Sequence, residues 1–502
     1  MTHARARSGR NAGGPGTLDA DVIIVGAGVA GLSAGRRLQA AGRRVILLEA
    51  RARVGGRIDT RREAGWPAPM EAGAEFVHGR PPALIRWLRE AHARVIPFPQ
   101  DHVYARAGTI SHGDRTWQTA QAYLDRLPDQ VRDRDRTFQQ VLRRPDFRRG
   151  ASRQALAMLT SYVEGFNAAD PGRVSVRDLI RQTRAAEKEQ GDHLGRVANG
   201  YDVLVQHLAQ PLRRTPGALR LATIVEEVRW GAHASNAADD DQDAGDRQPG
   251  TGQGLVEIRA RGAYGGTLPT LRAAAVLITL PLGVLQARPP ARGAVRFVPA
   301  LPRAKRAAID GLGMGPVLKV VVRFREAFWE ARPRRARPGR PPVPELAGLP
   351  ALAELSFLHT PGGVLPTWWV VPRSRPSPML IGWIAGPSAG RLVAKHGGDA
   401  ESLSRAALRS LSLALGAHRD ELAGEVEDLR VIDWGADPFA RGAYSWIPVG
   451  AFDAPATLAA PLARRLFFAG EATDTAGDTG TVQAALASGE RAAREILTRR
   501  RG

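Results

Sequence analysis

A glycine-rich turn between two short apolar runs near the start of the chain most constrains how this sequence can fold. Asp21–Val25 and Arg44–Glu49 are rich in β-branched and aliphatic residues, as buried parallel strands are, and a helical stretch separates them. The first run leads directly into a Gly-x-Gly-x-x-Gly turn formed by Gly26, Gly28 and Gly31. The pattern predicts a β-α-β unit of the Rossmann nucleotide-binding type.

Each glycine of this turn is needed for a different physical reason. Gly26 permits a tight turn, Gly28 lets the backbone approach a pyrophosphate, and Gly31 lets the helix pack closely against the strand. The free N–H groups at the N-terminus of the helix suit phosphate oxygens. Glu49, eighteen residues after Gly31, is placed to bind a ribose diol. The turn therefore predicts a dinucleotide cofactor, and these residues leave both NAD and FAD open.

The segment after the second strand distinguishes between the two cofactors. Glu49 and Arg51 are followed by Gly55, Gly56 and Arg57 in an E-A-R-x-x-x-G-G-R run. This run resembles the flavin-containing amine oxidase family, so the resemblance implies FAD. It implies that the Gly-Gly-Arg turn wraps the cofactor and that Arg57 binds the pyrophosphate, for which a planar guanidinium is well suited.

Further segments between about residues 20 and 500 resemble the same family, among them Gly73–Gly79, Asn199–Leu204, Thr279–Leu285 and Phe468–Val482. The additional cofactor-binding residues that the resemblance implies are Gly73, Ala74, Val225, Gly470, Glu471, Thr481 and Val482. It implies an α/β fold with a discontinuous Rossmann-type FAD-binding domain and an inserted α+β substrate-binding domain.

The alternation of strand and helix signals predicts how these domains divide the chain. We expect the FAD-binding domain to comprise residues 19–85, 196–295 and 426–502, and the substrate-binding domain residues 86–195 and 296–425. Residues 1–18 form a basic leader that we expect to be disordered, and 236–253 and 331–344 are expected to be flexible insertions. Residues 82 to about 190 read as mostly helical, and 314–325 as one strand.

Lys319 is the strongest catalytic candidate. Four of the 71 basic residues are lysines, and Lys319 lies in the apolar run Val317–Val322, which predicts a buried strand. Burial disfavours the charged ammonium and would let the amine act as a neutral donor or acceptor; a solvent-facing lysine on an edge strand is the alternative. The resemblance favours the first role, because Lys319 with Phe324 fits the family lysine that holds a water against flavin N5.

Tyr444 is implied by the resemblance as one wall of an aromatic cage for the substrate amine. The residue before it in monoamine oxidases is a cysteine bonded to FAD, whereas here it is Ala443, so we expect noncovalent FAD. The opposite wall is a tyrosine in monoamine oxidases and Thr481 here. This departure matches polyamine oxidases and lysine demethylases, and argues against simple arylalkyl monoamines as substrates.

Four further polar residues are candidates on the substrate side. His78 lies in Gly73–Gly79, which the resemblance places along the flavin and which we call the flavin-lining segment. His78 is a candidate catalytic and substrate-binding group, with a backbone-bonded histidine as the alternative. Glu75 is either an anchor for a substrate cation or a carboxylate that acts through a neighbouring residue. A polyamine requires carboxylates spaced along a tunnel. Asp474 and Asp478, in the segment Phe468–Val482, are candidates for that role.

Composition narrows the function classes further. The chain contains no cysteine, which excludes disulfides, thiol catalysis and cysteine-ligated metals. Its net charge is +21, but the arginines are scattered over the whole length, so we expect no nucleic-acid partner. No apolar run reaches the roughly 18 residues of a membrane span. We expect a cytoplasmic protein with no membrane span and no metal.

The resemblance implies an FAD-dependent amine oxidase, with a small-molecule amine as substrate. Hydride equivalents would pass from a primary or secondary amine, polyamine-like by preference, to flavin N5, and O2 would be the electron acceptor and yield hydrogen peroxide. One alternative is an L-amino-acid oxidase, in which an arginine would clamp the carboxylate. Others are a carbon–carbon desaturase or protoporphyrinogen-oxidase-like enzyme, which would tolerate the loss of Lys319, and a flavin-binding protein without turnover.

Overall fold

The computed structural model describes residues 18–112, 122–191, 193–231, 255–329, 355–371 and 377–498. The predicted β-α-β unit is present: strands Ala20–Val25 and Val45–Leu48 pair in parallel, and the helix Val29–Ala40 connects them. The further strands of this first sheet are Leu219–Arg220, Thr223–Arg229, Val256–Gly262, Leu271–Ile278, Arg296–Val298 and Leu466–Phe468.

Both faces of the first sheet are buried, which explains the nearly continuous apolar run of its first strand. Val22 and Ile24 pack into one hydrophobic cluster together with the helices Val29–Ala40 and Val482–Thr498. Ile23 and Val25 alternate with them and pack into a second cluster on the opposite face. This two-sided burial is typical of sheets with parallel strands covered by helices.

A second sheet is built from strands that alternate along the chain with those of the first, and it is mostly antiparallel. In spatial order its strands are Val426–Asp433, Val317–Phe324, Met379–Ala385, Thr367–Val370, Phe357–His359, His102–Arg106 and Thr109–His112. Leu318, Val320 and Val322 pack with the helix Ala400–Leu415. Because side chains alternate along a strand, Lys319 projects to the opposite face, where it pairs in register with Trp383.

Smaller elements complete the described chain. The short sheets pair Thr60–Arg61 with Met70–Glu71, Gly313–Gly315 with Tyr444–Trp446, and Leu194–Val197 with both Phe76–His78 and Val95–Pro97. The other α-helices are Pro82–Glu90, Phe138–Leu142, Pro145–Arg148, Arg153–Asn167, Val176–Lys188, Asp202–Arg214, Leu282–Gln286, Arg303–Gly311, Gly386–Lys395, Arg419–Gly424 and Ala454–Ala459, with 3-10 turns at Leu127–Val131 and Glu471–Thr473. Within the described ranges, no helix combines the length and apolar character needed to cross a bilayer.

Two expectations about local structure need correction. The region predicted as mostly helical also holds the strands Val95–Pro97, His102–Arg106 and Thr109–His112, whose pairing partners include strands far away in sequence. The predicted strand 314–325 is divided at Pro316, since proline has no N–H to continue a ladder. The first piece pairs with Tyr444–Trp446 and the second enters the second sheet.

The sheets also bear on the domain boundaries. Arg296–Val298 pairs within the first sheet and Val426–Asp433 within the second. We therefore propose that the boundaries expected near residues 295 and 425 lie after Val298 and after Asp433. The two expected insertions, 236–253 and 331–344, and residues 1–17 of the leader lie outside the described residues.

Candidate functional site

One cavity of about 1530 Å³ collects residues from both large sheets. The predicted cofactor residues that line it are Gly26, Gly28, Glu49, Arg51, Gly55, Gly56, Arg57, Gly73, Ala74, Val225, Gly470, Glu471, Thr481 and Val482. Glu75, His78, Lys319 and Tyr444 line the same cavity. Its volume exceeds the roughly 300–1,000 Å³ of an ordinary small-molecule pocket, so there is room for both a dinucleotide and a substrate.

The predicted glycine that does not line the cavity is Gly31, and it has the packing role expected of it. A Cβ on Gly31 would lie 2.0 Å from the carbonyl oxygen of Gly26. A Cβ on Gly28 would meet no atom within 4 Å, because Gly28 faces open space at the start of the helix Val29–Ala40. The helix has no side-chain cap at this end, so its free N–H groups and its positive dipole end are available to an anion.

Glu49 is hydrogen-bonded to the backbone of the glycine turn. Its buried carboxylate accepts hydrogen bonds from the backbone N–H of Ala27 at 2.8 Å and from that of Arg51 at 2.9 Å. The Arg51 guanidinium in turn bonds to Asp437 at 2.7 Å. The carboxylate is therefore held at the cavity wall by the turn itself, in the position where a ribose hydroxyl would meet it.

Arg57 and Glu471 join two distant segments at the centre of the cavity. Arg57 Nη1 donates to a carboxylate oxygen of Glu471 at 2.8 Å and to the carbonyl of Ala443 at 2.7 Å. The second oxygen of Glu471 accepts from the hydroxyl of Ser445 at 2.6 Å and from the N–H of Gly480 at 3.1 Å. This network fixes the relative positions of the Gly-Gly-Arg turn, the Tyr444 strand and the turn before the last helix.

These features fit FAD. The helix N-terminus at Gly28 and the guanidinium of Arg57 suit a pyrophosphate, and the space beside Gly28 would be filled by any larger side chain. Glu49 suits a ribose, and Val225, Thr481 and Val482 also line the cavity. The donor set and the open space therefore match an extended dinucleotide.

Lys319 is buried, as the sequence predicts, and three oxygen acceptors surround its amino group. Its Nζ donates to the carbonyl oxygens of Glu71 at 2.8 Å and Gly73 at 3.1 Å, and to the carboxylate of Glu75 at 3.1 Å. Three acceptors match the three N–H donors of an ammonium. The rings of Trp369 and Trp383 lie 5.5 and 5.8 Å from Nζ and cover it further.

Glu75 lies between two cations. One carboxylate oxygen contacts Lys319, and the other lies 3.1 Å from Nε of Arg196. Burial would raise the pKa of Glu75, but the charges of Lys319 and Arg196 outweigh it and hold this pKa below its usual value. Both oxygens are therefore engaged by the protein. This geometry favours the second of the two roles considered for Glu75, a carboxylate that acts through a neighbouring residue.

His78 and Tyr444 both contact Phe166, near the end of the helix Arg153–Asn167. The His78 ring lies 5.7 Å from the ring of Phe166, edge to face, and it forms no hydrogen bond with the described residues. Burial lowers the pKa of His78 to about 4, so the imidazole is neutral at physiological pH. The Tyr444 hydroxyl donates to the carbonyl of Phe166 at 2.8 Å, which fixes the ring at the cavity wall.

Two carboxylates at the cavity wall have raised pKa values. Burial and the neighbouring Asp478 raise the pKa of Glu189, and burial and the neighbouring Asp474 raise that of Asp478. Both residues line the cavity. Asp474 does not line it, because its carboxylate accepts from the N–H groups of Gly477 at 2.9 Å and Asp478 at 2.8 Å and so holds the turn.

Sequence reasoning missed several residues of this site, namely Arg196, Phe166, Trp369, Trp383, Glu189 and Ser445. Arg196 is one arginine among many in an unremarkable short strand, so no local signal marks it. The two tryptophans stand in the strands Thr367–Val370 and Met379–Ala385, where an aromatic residue is an ordinary core residue. In the described part of the chain no three histidine or acidic side chains cluster as metal ligands would.

Comparison with known proteins shows which family this chain resembles over most of its length. The family model for flavin-containing amine oxidoreductases matches residues 29–497. Polyamine oxidase 1 of Oryza sativa subsp. japonica is 30% identical, and the match covers 96% of this chain and 98% of that protein. Lysine-specific histone demethylase 1 homolog 2 of Arabidopsis thaliana is 28% identical, over 95% of this chain and 58% of that protein.

Solved structures show the same fold. A redesigned putrescine oxidase superimposes with a TM-score of 0.71 at 21% identity, covering 96% of this chain and all of that one (100%). Cyclohexylamine oxidase from Brevibacterium oxydans gives a TM-score of 0.68 at 20% identity, with coverages of 96% and 100%. The predicted α/β fold, with a Rossmann-type FAD-binding domain and a substrate-binding domain, is thereby confirmed.

Proposed function

The chain belongs to the flavin-containing amine oxidoreductases and is an FAD-dependent oxidoreductase acting on CH–NH or CH–NH2 groups; on that premise we propose that it oxidises a polyamine-like primary or secondary amine to the imine. The observation that carries the proposal is the single cavity, in which the dinucleotide-type turn, the Arg57–Glu471 network, Lys319, Tyr444 and His78 meet. When bound, FAD would accept hydride equivalents at N5 and return the electrons to O2, yielding hydrogen peroxide.

The protein's part in cofactor binding is to hold FAD without a covalent bond. Ala443 occupies the place of a tethering cysteine, and the whole chain has no cysteine. Its carbonyl accepts from Arg57 instead, so this segment positions the guanidinium. Glu49, Gly28 and the free N–H groups of the first helix would bind the ribose and phosphates.

On the substrate side, burial lowers the pKa of His78 to about 4, so its imidazole is neutral. The neutral imidazole would accept a hydrogen bond from the amine. Tyr444 and Thr481 would form the two walls beside the reacting carbon, and both line the cavity. A protonated amine has no lone pair to assist loss of hydride, so the substrate reacts in its neutral form. We expect kcat/KM to rise between about pH 7 and pH 9 as the amine loses its proton.

Glu189 and Asp478 support a substrate with a second amino group. Their raised pKa values arise from burial and from neighbouring carboxylates, and a bound ammonium would relieve both effects. Two of the relatives named above, the rice polyamine oxidase and the putrescine oxidase, carry the names of such substrates. We propose that these two carboxylates receive the distal amine.

The test is anaerobic mixing of the holoenzyme with spermine, spermidine, putrescine, an arylalkyl monoamine and L-amino acids, with the flavin absorbance as readout. We expect di- and polyamines to bleach the flavin, and air to restore it with formation of peroxide. Bleaching by amino acids alone would replace the polyamine proposal with an L-amino-acid oxidase. An FAD-loaded protein that none of these compounds bleaches would contradict amine oxidation and favour a desaturase.

The variant Asp478→Asn tests the carboxylate assignment with an internal control. Loss of one buried charge pair to a cation typically weakens binding by about 10-fold or more. We expect KM for a diamine to rise by this amount, while KM for a monoamine of equal length stays within about twofold. Equal effects on both substrates would place Asp478 outside the binding of the distal amine.

A further inference from the structure

Three buried charged side chains meet beside the flavin-lining segment. The side chains of Lys319, Glu75 and Arg196 are 2%, 3% and 5% exposed. Glu75 contacts Lys319 Nζ with one oxygen and Arg196 Nε with the other, each at 3.1 Å. Arg196 also donates to the carbonyl of Pro69 at 3.3 Å, which ties the cluster to the chain just before the flavin-lining segment.

The hydrogen bonds at Lys319 discriminate between an ammonium and a neutral amine. An ammonium has three N–H donors, and three oxygen acceptors surround Nζ, from Glu71, Gly73 and Glu75. A neutral amine has two donors and one lone pair, so one of these acceptors would face the lone pair. A buried acceptor left without a donor is costly, and this cost favours the charged form.

Of the surrounding charges, the Glu75 carboxylate also favours the ammonium, whereas the positive charge of Arg196 opposes it. The carboxylate of Glu75 is in contact with Lys319, whereas the Arg196 guanidinium is reached through Glu75. Glu71 also interacts electrostatically with Glu75 and Arg196, and burial raises its pKa to about 7. Glu75 is thus the carboxylate that balances Lys319 at every pH at which the enzyme is expected to work.

We propose that Glu75 and Arg196 are positioning residues that hold Lys319 as a permanent ammonium against the carbonyls of Glu71 and Gly73, so that Lys319 acts as a fixed positive charge and never as a base. The inference rests on the proposed function and deepens it, because it assigns the form in which Lys319 takes part. Lys319 then cannot receive the proton of the substrate amine. That proton leaves before the reaction, to solvent or to another group.

Arg196 has a separate task within the cluster. Without it, one buried oxygen of Glu75 would lose its ion-pair partner, and the carboxylate would be held on the Lys319 side alone. The arginine lies in the strand Leu194–Val197, which pairs with Phe76–His78. It therefore couples the orientation of Glu75 to the same strand pair that places His78.

The small number of lysines makes a direct test possible. The chain has four, Lys188, Lys305, Lys319 and Lys395, so NMR of the ε-carbons in isotope-labelled holoenzyme gives four signals, and Lys319→Met identifies one of them. We expect the Lys319 signal to stay at the ammonium position between about pH 6 and pH 9. A Lys319 signal that moves to the neutral-amine position within this range would overturn the proposal.

Variants test the roles of Glu75 and Arg196 separately. In Glu75→Gln, two buried cations lose their shared carboxylate, so the Lys319 signal should titrate within the same range, and Glu75→Asp should restore the ammonium. In Arg196→Gln, Glu75 loses one of its two cations, so the flavin spectrum of the oxidised holoenzyme should change with pH, and Arg196→Lys should suppress that change. Spectra that stay unchanged in Arg196→Gln would remove Arg196 from the proposal.

A matched control tests for general damage. Arg136 is buried and binds Asp133 at 2.9 Å, but it does not line the cavity. Arg136→Gln should leave both the Lys319 signal and the flavin spectrum as in the wild type. The lysine and flavin readouts need no turnover, so they stand even if no amine is oxidised. If Glu75→Gln does not fold, the wild-type titration alone decides.

Discussion

At the scale of single residues, Glu71 shows how burial and charge oppose each other. Its carboxylate accepts from the N–H of Tyr201 at 2.7 Å and from the hydroxyl of Thr60 at 2.8 Å, which favours the charged form. Burial has the larger effect and raises its pKa from 4.5 to about 7. The folded state therefore binds more protons than the unfolded state between these two pH values. Stability from this group is complete below about pH 4.5 and is lost as pH rises through about 7.

Glu71→Gln should remove this dependence. Glutamine keeps an acceptor oxygen but cannot ionise, so we expect the variant to gain stability relative to the wild type as pH rises from about 5 to 8. The gain is bounded by about 3 kcal/mol, the free energy of a shift of this size. Thermal unfolding of both proteins across this pH range measures it. A constant difference in Tm would show that Glu71 does not titrate in the folded state.

The residue scale is also where sequence reasoning succeeds and fails most clearly. Lys319 could be found because a lysine in an apolar strand is conspicuous in a chain that uses arginine elsewhere. Burial alone predicts a neutral amine, but it takes no account of the carboxylate of Glu75 and the guanidinium of Arg196, which come from distant segments. No pattern along the chain marks Arg196, and only the fold brings it to the carboxylate.

At the scale of elements, locally determined structure could be predicted and non-local pairing could not. The first strand, the helix Val29–Ala40 and the second strand follow from apolar runs and glycine positions within one continuous segment. The strand Tyr444–Trp446 is three residues long and pairs with Gly313–Gly315, more than a hundred residues earlier. Its formation depends on the assembled fold, so its own sequence does not show the pairing.

The glycine turn provides a test at this scale, because Gly28 and Gly31 differ in what surrounds them. Gly31→Ala places a Cβ 2.0 Å from the carbonyl oxygen of Gly26, so we expect lost stability of about 1–3 kcal/mol even without cofactor. Gly28→Ala meets no protein atom within 4 Å and its backbone is extended (φ −75°), so the apoprotein should be unaffected. The added methyl should instead weaken FAD binding at least about tenfold.

Thermal unfolding of both apoproteins and FAD titration of each variant separate the two effects. Reduced stability of apo Gly28→Ala would show that the space beside it is needed by the protein itself. Unchanged FAD affinity in Gly28→Ala would show that the pyrophosphate does not approach this glycine, and would contradict the assigned binding site.

At the scale of the whole molecule, the net charge of +21 opposes the approach of the proposed polyamine substrate. A polyamine approaching this protein is repelled at long range, and Glu189 and Asp478 attract it only at short range within the cavity. Salt screens the long-range repulsion first, since the Debye length falls to roughly 8 Å at physiological ionic strength. The partly buried attraction at the two carboxylates is screened much less.

We therefore expect kcat/KM for spermine to rise as sodium chloride increases from about 20 to 150 mM, with a smaller rise for a diamine and the smallest for a monoamine. The order follows from the number of charges that each substrate brings through the repulsive field. Steady-state rates with the three substrates at constant pH measure it. A rate for spermine that falls with salt would mean that the field at the entrance is negative, so that local carboxylates outweigh the arginines even outside the cavity.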